Sequence, residues 1–367
     1  MGSLLFILAG CTTVPNDVPP TDWVTNNHEQ NNEVARPPAA IPHLPPLVII
    51  TNAPAVKSNT PPAVTKTKTL PPATVPVFSW SSLNRWAIAH RLAQPHLLTK
   101  SPLTTYAISS SKGNMVLAIG SREAAWNGVT LHLGFAPEFI DDQVFIHGMD
   151  LQKNLEPLLI GPPLTPGSNR VVVIDPGHGG INGGTVSVLD KRAEKDFTLD
   201  WARRMKPRLE ANGWQVILTR TNDSDIALSN RVMVAEAHHA DLFISLHFNS
   251  VAPDQRPAGL ATVCLTPMGL PSNLTRGYPD IVSQSFPNND FDAQNLQLAE
   301  RLQRALLHAT AMEDRGVNRA RFTGVLRGQH RPAVLIEAGF LSNPSEARRI
   351  ADPMFRQKLA ETVANAL

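Results

Sequence analysis

From residue 170 onward, continuous apolar runs alternate with longer amphipathic stretches. Val171–Ile174 and Ala333–Ile336 are short and wholly apolar, and Leu242–Leu246 is apolar except for Ser245. Such runs are typical of strands that are buried on both faces of a parallel sheet. Because helical stretches lie between them, the pattern predicts an α/β fold with an open, mainly parallel, twisted sheet and helices on both faces.

The longest amphipathic stretch is predicted to form a helix over Glu194–Ala211. Its apolar stripe follows helical spacing and consists of Phe197, Trp201, Met205 and Leu209. Pro207 falls inside this stripe, so either the helix kinks there or its last turn is separate. The remaining predictions are strands at 215–219 and 260–265 and helices at 228–239, 293–309 and 354–366.

Residues 80–165 are predicted to form a small α+β accessory domain ahead of the domain at 170–367. Trp80, Trp86 and Trp126 supply apolar bulk for its core. Asn127-Gly128 marks a tight hairpin turn, because both residues accept positive φ. A helix is expected at 82–93, strands at 115–119, 129–133 and 143–147, and a short helix at 151–159 capped by Asp150.

The segment 12–79 is rich in proline and is predicted to be a disordered linker. Fourteen of the 32 prolines precede Phe78, and no glycine occurs between Cys11 and Lys112. Few aromatic residues and no strand or helix period are available to offset the entropy of ordering. A linker of this composition favours extended polyproline II structure. We therefore expect it to hold the folded domains at a distance from the N-terminal segment.

The first residues resemble the signal segment of bacterial lipoproteins. Leu8-Ala9-Gly10-Cys11 is similar to a lipobox, in which the cysteine is acylated and becomes the mature N-terminus. The apolar run before it is far shorter than the roughly 20 residues that span a bilayer. The resemblance implies a signal at 1–11 and a lipid anchor at Cys11 on the periplasmic side of the cell envelope. Thr12 after the cysteine favours the outer membrane where one exists.

The charge balance excludes one class of partner. The chain has 33 Lys+Arg against 31 Asp+Glu, for a formal net charge of +2. A nucleic-acid binder normally carries a strongly basic surface. We therefore expect no nucleic-acid partner.

Polar residues that carry chemistry follow the predicted strands. His178, His247 and Glu337 lie just beyond three apolar runs, and Glu194 begins the helix after the first of them. Ligands of open α/β sheets bind beyond the carboxyl ends of the strands. Two imidazoles and one carboxylate form the ligand set of a catalytic zinc site, and a second carboxylate can act as general base. Spacing alone does not decide which glutamate is the ligand.

Several dispersed motifs together resemble one family over 170–367. They are Val173–Gly180, Glu194–Asp196, Leu218–Arg220, Ala240–Asn249, Asp314–Val317 and Leu335–Asn343. In this order they are similar to the zinc-dependent N-acetylmuramoyl-L-alanine amidases of type 3. The resemblance implies that His178, Glu194 and His247 hold one Zn²⁺ and that Glu337 is the catalytic base. It also implies hydrolysis of peptidoglycan at the amide between N-acetylmuramic acid and L-Ala of the stem peptide.

Further residues are candidates for supporting roles. Asn182 stands where the family usually has Asp, so this chain lacks a negative charge near His178. Asn249 is expected to support the loop after His247, and His330 is a candidate for facing substrate. Arg220 and Arg231 could pair with substrate carboxylates, although arginines at such positions more often make structural bonds.

The connection between Leu265 and Ala293 is longer than ordinary loops and contains several prolines. In some related amidases, a helix at this position plugs the zinc site until an activator protein removes it. Here the prolines leave room only for a short helix such as Ile281–Phe286. We expect a wall or lid of the substrate groove instead of a full plug, and the need for an activator stays open.

Two other functions remain open at this stage. A zinc peptidase could use the same site to cut within the stem peptide. A wall-binding regulator could keep the fold without catalysis, although all four expected site residues are present.

Overall fold

The computed structural model describes residues 79–165, 167–275 and 279–367. The predicted signal segment, the lipidation site Cys11 and all but the last residue of the predicted linker lie outside these ranges. Those predictions therefore stay untested. Within the described ranges, no helix has the length and apolar character needed to cross a bilayer.

The amino-terminal part of the described chain is mostly antiparallel. The Asn127-Gly128 turn joins two of its strands with positive φ at both residues, as predicted. In chain order its elements are β1 (Trp80–Ser82), α1 (Leu83–Ala89), β2 (His96–Thr99), β3 (Thr105–Ser110), β4 (Gly113–Ala118), β5 (Glu123–Trp126), β6 (Val129–His132), β7 (Glu138–Ile140), β8 (Gln143–His147), α2 (Gly148–Asp150), a π-helical turn (Leu151–Leu155) and α3 (Glu156–Leu159).

The carboxyl-terminal part alternates strands and helices. Its first helix runs without interruption through Pro207, so its last turn is not separate. The elements are β9 (Val171–Pro176), α4 (Glu194–Ala211), β10 (Gln215–Leu218), α5 (Leu228–Ala237), β11 (Leu242–Asn249), β12 (Leu260–Cys264), a 3₁₀ turn (Pro287–Phe291), α6 (Asp292–Thr310), β13 (Asp314–Arg319), α7 (Gly324–Arg327), β14 (Ala333–Phe340), α8 (Pro344–Ala351) and α9 (Pro353–Ala366).

One sheet runs through both parts of the chain. Its strand order is β10-β9-β11-β14-β12-β13-β6-β5-β4-β3-β2. The four strands from β10 to β14 are parallel to one another, whereas β12 pairs antiparallel with β14. The mainly parallel sheet predicted for the carboxyl-terminal part is thereby confirmed. A separate small sheet has the order β1-β8-β7.

Alternate side chains of β9 enter two different apolar clusters. Val172 and Ile174 pack in a cluster with Trp201 of α4 and residues of α6 and α9. Val171 and Val173 pack in a second cluster with Ala235 of α5 and residues of α7. Since successive side chains of a strand point to opposite faces, the sheet is covered by helices on both sides.

The sheet joins the predicted accessory domain to the rest of the fold. Leu131 of β6 pairs with Val317 of β13 in parallel, and the larger apolar cluster contains residues from both parts. The Asp314–Arg319 strand was missed in the sequence because only one of its six residues is apolar. The domain boundaries at 80–165 and 170–367 stay a prediction.

Two local predictions are wrong. Asp150 does not cap the following helix, because its carboxylate instead accepts hydrogen bonds from the backbone N–H groups of Gly134 and Phe135 and from Asn154. Residues 281–286 form a turn and irregular backbone instead of a short helix. The helical turn of this connection lies directly after that segment, at Pro287–Phe291. There the side chain of Asn289 accepts a hydrogen bond from the N–H of Phe286.

Candidate metal centre

His178 lies on the turn that follows β9. It adopts a left-handed backbone conformation with φ +62° and is buried. Its Nδ1 lies 2.9 Å from Oδ1 of Asn182, four residues later on the same loop. Because an amide oxygen only accepts hydrogen bonds, this contact places the ring proton on Nδ1 and leaves the Nε2 lone pair free.

Glu194 is the first residue of α4 and points back at two histidines. Its Oε2 lies 3.2 Å from Nε2 of His178, and its Oε1 lies 3.0 Å from Nδ1 of His247. The backbone N–H groups of Phe248 and Thr185 each donate to one oxygen of the same carboxylate. The end of β11 and the start of α4 are thus held together at this point.

Electrostatics keep this carboxylate ionised. Burial by itself raises the pKa of Glu194, but the adjacent His178 and His247 imidazoles outweigh it and hold the pKa well below its usual range. Burial is also the largest influence on His178, where the nearby Glu194 carboxylate overcomes it and raises the pKa. At His247 burial prevails and lowers the pKa, which favours a neutral ring.

The three side chains fit a metal ion. Their nearest ligand atoms all lie within 4.8 Å of one another, and all three residues are buried. Nε2 of His178 is a buried nitrogen without a hydrogen bond of acceptable geometry, despite its closeness to Glu194. Two imidazole nitrogens and a carboxylate oxygen are donors that suit zinc and related divalent ions. The group His178, Glu194 and His247 can therefore bind a metal.

Two glycines allow the backbone to pass close to this group. A Cβ on Gly177 would lie 2.3 Å from Cε1 of His247. A Cβ on Gly184, whose φ is +68°, would lie 2.6 Å from Oε2 of Glu194. Any larger residue at either position would push the donor atoms apart.

Glu337 stands beside the group on the neighbouring strand. It pairs in register with His247 across β14 and β11 and is buried. Glu337, His178 and His247 all line one cavity of about 470 Å³. A second carboxylate therefore faces the same space as the two imidazoles.

A buried ion pair supports the His178 turn from below. The Asp175 carboxylate lies 2.6 Å from Nη1 of Arg231 and also accepts hydrogen bonds from the hydroxyls of Thr219 and Ser245. Although burial alone raises the pKa of Asp175, Arg231 and the hydroxyl bonds lower it overall. The Arg231 guanidinium also donates to the carbonyl oxygen of His178.

Arg220 supports the same turn from the other side. Its guanidinium donates to the carbonyl oxygens of Pro176, Gly177 and Lys195. Burial lowers its pKa to about 10, so it stays cationic at neutral pH. Both arginines make structural bonds. The role of Asp175 was missed in the sequence. Nothing there indicates that a carboxylate at the end of an apolar run pairs with an arginine far along the chain.

The remaining candidates lie in different places. Asn182 contacts His178 and lines the cavity. Asn249 is buried next to an irregularity in the β11–β14 pairing, and its Oδ1 accepts a hydrogen bond from the N–H of Ser250. His330 is exposed and lines a different cavity, near the amino end of β14, and is not among the residues around His178. The structure therefore gives no support for His330 at this site.

The loop between β12 and the 3₁₀ turn borders the cavity. Among its described residues, Leu274 lines the space that contains His178. Arg321 fixes the loop, because its guanidinium pairs with Asp280 and donates to the carbonyl oxygens of Pro267 and Leu270. This arrangement supports the predicted groove wall, which itself stays a prediction.

A buried His-Glu-His group lies at the carboxyl edge of a mainly parallel sheet, and a further glutamate lines the cavity beside it. This arrangement is typical of metal-dependent hydrolases. The family model described as N-acetylmuramoyl-L-alanine amidase matches residues 172–367, which is more than half of the chain. The chain therefore belongs to the N-acetylmuramoyl-L-alanine amidase family, and the family predicted from the sequence motifs is confirmed.

Curated relatives carry the same description. The chain is 32% identical over 238 residues to the amidase AmiC of Escherichia coli O6:H1. This match covers 58% of this chain and 56% of that protein. It is 31% identical to the germination-specific amidase of Bacillus subtilis, over 54% of this chain and 78% of the relative. The chain thus spans little more than half of the length of the first relative.

Solved structures are also similar. An N-acetylmuramoyl-L-alanine amidase from Clostridium difficile 630 is 31% identical, and the match covers 54% of this chain and 95% of that one with a TM-score of 0.45. The amidase AmiC2 of Nostoc punctiforme is 30% identical over 55% of this chain and 96% of its own, with the same TM-score.

Proposed function

We propose that this chain is a zinc-dependent peptidoglycan hydrolase that cleaves the amide between N-acetylmuramic acid and the L-Ala of the stem peptide. One observation carries the proposal. In a chain that belongs to the amidase family, a separate carboxylate, Glu337, lines the same cavity as the two histidines of a group that could hold a metal ion.

In this proposal His178, Glu194 and His247 hold Zn²⁺. The Asn182 contact selects the tautomer of His178 that leaves Nε2 available, and such supporting contacts raise the affinity of a site. Because its pKa is low, the Glu194 carboxylate is ionised and supplies the negative charge that favours a divalent cation. When bound, zinc supplies Lewis-acid chemistry, which lowers the pKa of water and favours negative charge on a carbonyl oxygen.

Glu337 acts as general base and then as general acid. Its carboxylate takes a proton from the water that attacks the amide carbonyl, and it returns that proton to the departing amine nitrogen. An amine is a poor leaving group until it is protonated, so both transfers are needed. The position of Glu337 opposite His247 in the sheet places the carboxylate beside the metal-binding group and fixes its backbone.

A digestion assay with and without a chelator tests the metal and the reaction together. Purified peptidoglycan is incubated with the full chain, with chelator-treated chain, and with treated chain to which zinc has been returned. We expect solubilisation in the first and third samples and none in the second. Full activity after removal of all bound metal, confirmed by elemental analysis, would contradict the proposal.

We also propose that the chain is held at the periplasmic side of the cell envelope by acylation of Cys11, with the outer membrane favoured. The support is the Leu8-Ala9-Gly10-Cys11 sequence and the proline-rich segment behind it. A Cys11→Ser variant should leave the membrane fraction and lose labelling by a radioactive fatty acid. Retention of label would contradict the assignment of Cys11.

A further inference from the structure

The cavity at the metal centre continues into a second one. Leu274, Phe322 and Arg327 line the cavity that contains His178, and the same three residues line a neighbouring cavity of about 200 Å³. The two spaces therefore meet at these side chains. A substrate bound at the metal centre can extend along one groove past Arg327.

The guanidinium of Arg327 is held from one side only. Its Nε donates to the carbonyl oxygen of Arg321 at 2.6 Å, and its central carbon lies 5.0 Å from the ring centroid of Phe286. Its two terminal nitrogens have no hydrogen-bond partner among the residues that the structure describes. The nearby Asp280 carboxylate is already paired with Arg321.

Other charges in the described lining of the main cavity are arranged differently. Arg231 is buried and paired with Asp175, so it is not available to a ligand. Asp225 is exposed and repels an anion. Arg327 is half-buried and, unlike Arg231, keeps its terminal NH2 groups open toward the described part of the cavity. A guanidinium whose two terminal NH2 groups are both open suits bidentate binding of a carboxylate.

The chemistry of the substrate says which side of the bond this carboxylate lies on. The carboxyl group of N-acetylmuramic acid is consumed in the scissile amide, so the sugar side is neutral. The peptide side keeps free carboxyl groups. We propose that Arg327 binds a peptide carboxylate on the leaving side of the amide, and that the enzyme thereby selects acidic stem peptides over amidated ones. This inference rests on the proposed amidase function.

Synthetic muramoyl tripeptides test the inference. One series carries free carboxylates, and each member of a second series has one of them converted to a carboxamide. For the wild-type chain, amidation at one position should lower kcat/KM by about tenfold or more, mainly through a higher KM. The Arg327→Gln variant should show that same loss on the acidic substrate and no further loss on the amidated one. Arg327→Lys should recover part of the preference.

Arg348→Gln is the matched control, because Arg348 is an exposed arginine of α8 that lines neither cavity. It should behave as wild type. An equal loss for Arg327→Gln on all substrates would assign Arg327 a structural role and overturn the inference. A wild-type chain indifferent to every amidation would also overturn it. If the wild-type chain cleaves wall but releases no peptide beginning with L-Ala from any substrate, the proposed function itself is wrong.

Discussion

Glu337 and His247 stand directly opposite each other on two adjacent parallel strands, β14 and β11. This pairing places a carboxylate beside one of the three residues that can hold a metal, while the carboxylate itself belongs to a different strand. The proposed base and the proposed metal ligands can therefore be changed independently.

Glu337→Gln should remove activity while keeping the metal. The amide is nearly the same size as the carboxylate but cannot accept the proton of the attacking water. General acid–base catalysis contributes about 10²- to 10⁴-fold, so we expect kcat to fall by roughly that factor. Turnover of a muramoyl peptide and zinc content of the purified variant are the two measurements. Undiminished turnover would remove Glu337 as the base.

Glu194→Ala should lose both metal and activity. The carboxylate contacts both imidazoles, and its removal leaves two neutral donors without the negative charge that favours a divalent cation. Elemental analysis after dialysis should show little zinc in this variant and nearly full occupancy in Glu337→Gln. Equal zinc in the two variants would mean that the roles of the glutamates are assigned wrongly.

Asn182→Ala should weaken metal binding without abolishing it. The variant loses the contact that orients the His178 ring, and losses of this kind typically cost about 10- to 100-fold in metal affinity or activity. A zinc titration with a competing chelator measures the affinity. Asn182→Asp, which keeps an acceptor oxygen, should stay closer to wild type, and the opposite ranking would contradict the orienting role.

Asp175→Asn should destabilise the fold. Removal of one partner leaves the buried Arg231 cation uncompensated, which costs about 3 kcal/mol or more. The free energy of unfolding in urea measures the effect. Asp254→Asn, in a solvent-exposed pair with Arg256, is the control and should change stability little. Similar stability for both variants would contradict the importance of the buried pair.

The same pair predicts how stability changes with pH. Because the pKa of Asp175 is lower in the folded chain than in the unfolded one, ionised Asp175 stabilises the fold above the unfolded value of about 4. This contribution should disappear as the pH falls through that value toward the folded pKa. Urea unfolding at pH 7 and at pH 3 should show a smaller loss of stability on acidification for Asp175→Asn than for wild type.

The site could be predicted from the sequence because its chemistry is local to strand ends. His178 and His247 each follow an apolar run, and the carboxyl ends of parallel strands meet at one edge of a sheet. Spacing could not show which glutamate lies against the two histidines, since Glu194 reaches them from the start of a helix. That placement depends on how α4 packs against β11, which is a tertiary property.

The extension of the sheet was not predicted. It rests on the pairing of Leu131 with Val317 across β6 and β13, and β13 has a polar sequence without an alternating pattern. The Asp175–Arg231 pair was missed for a related reason, because 56 positions separate the two residues in sequence. Long-range pairs of this kind leave no periodic signal.

Mass spectrometry of the peptides released from purified peptidoglycan tests the central claim most directly. If the chain cleaves the amide between N-acetylmuramic acid and the stem peptide, it releases peptides whose first residue is L-Ala with a free amino group and leaves glycan strands without peptide. Glu337→Gln should release almost none. Released fragments that begin at a later residue of the stem, with L-Ala still attached to the sugar, would contradict the amidase account and identify a peptidase instead.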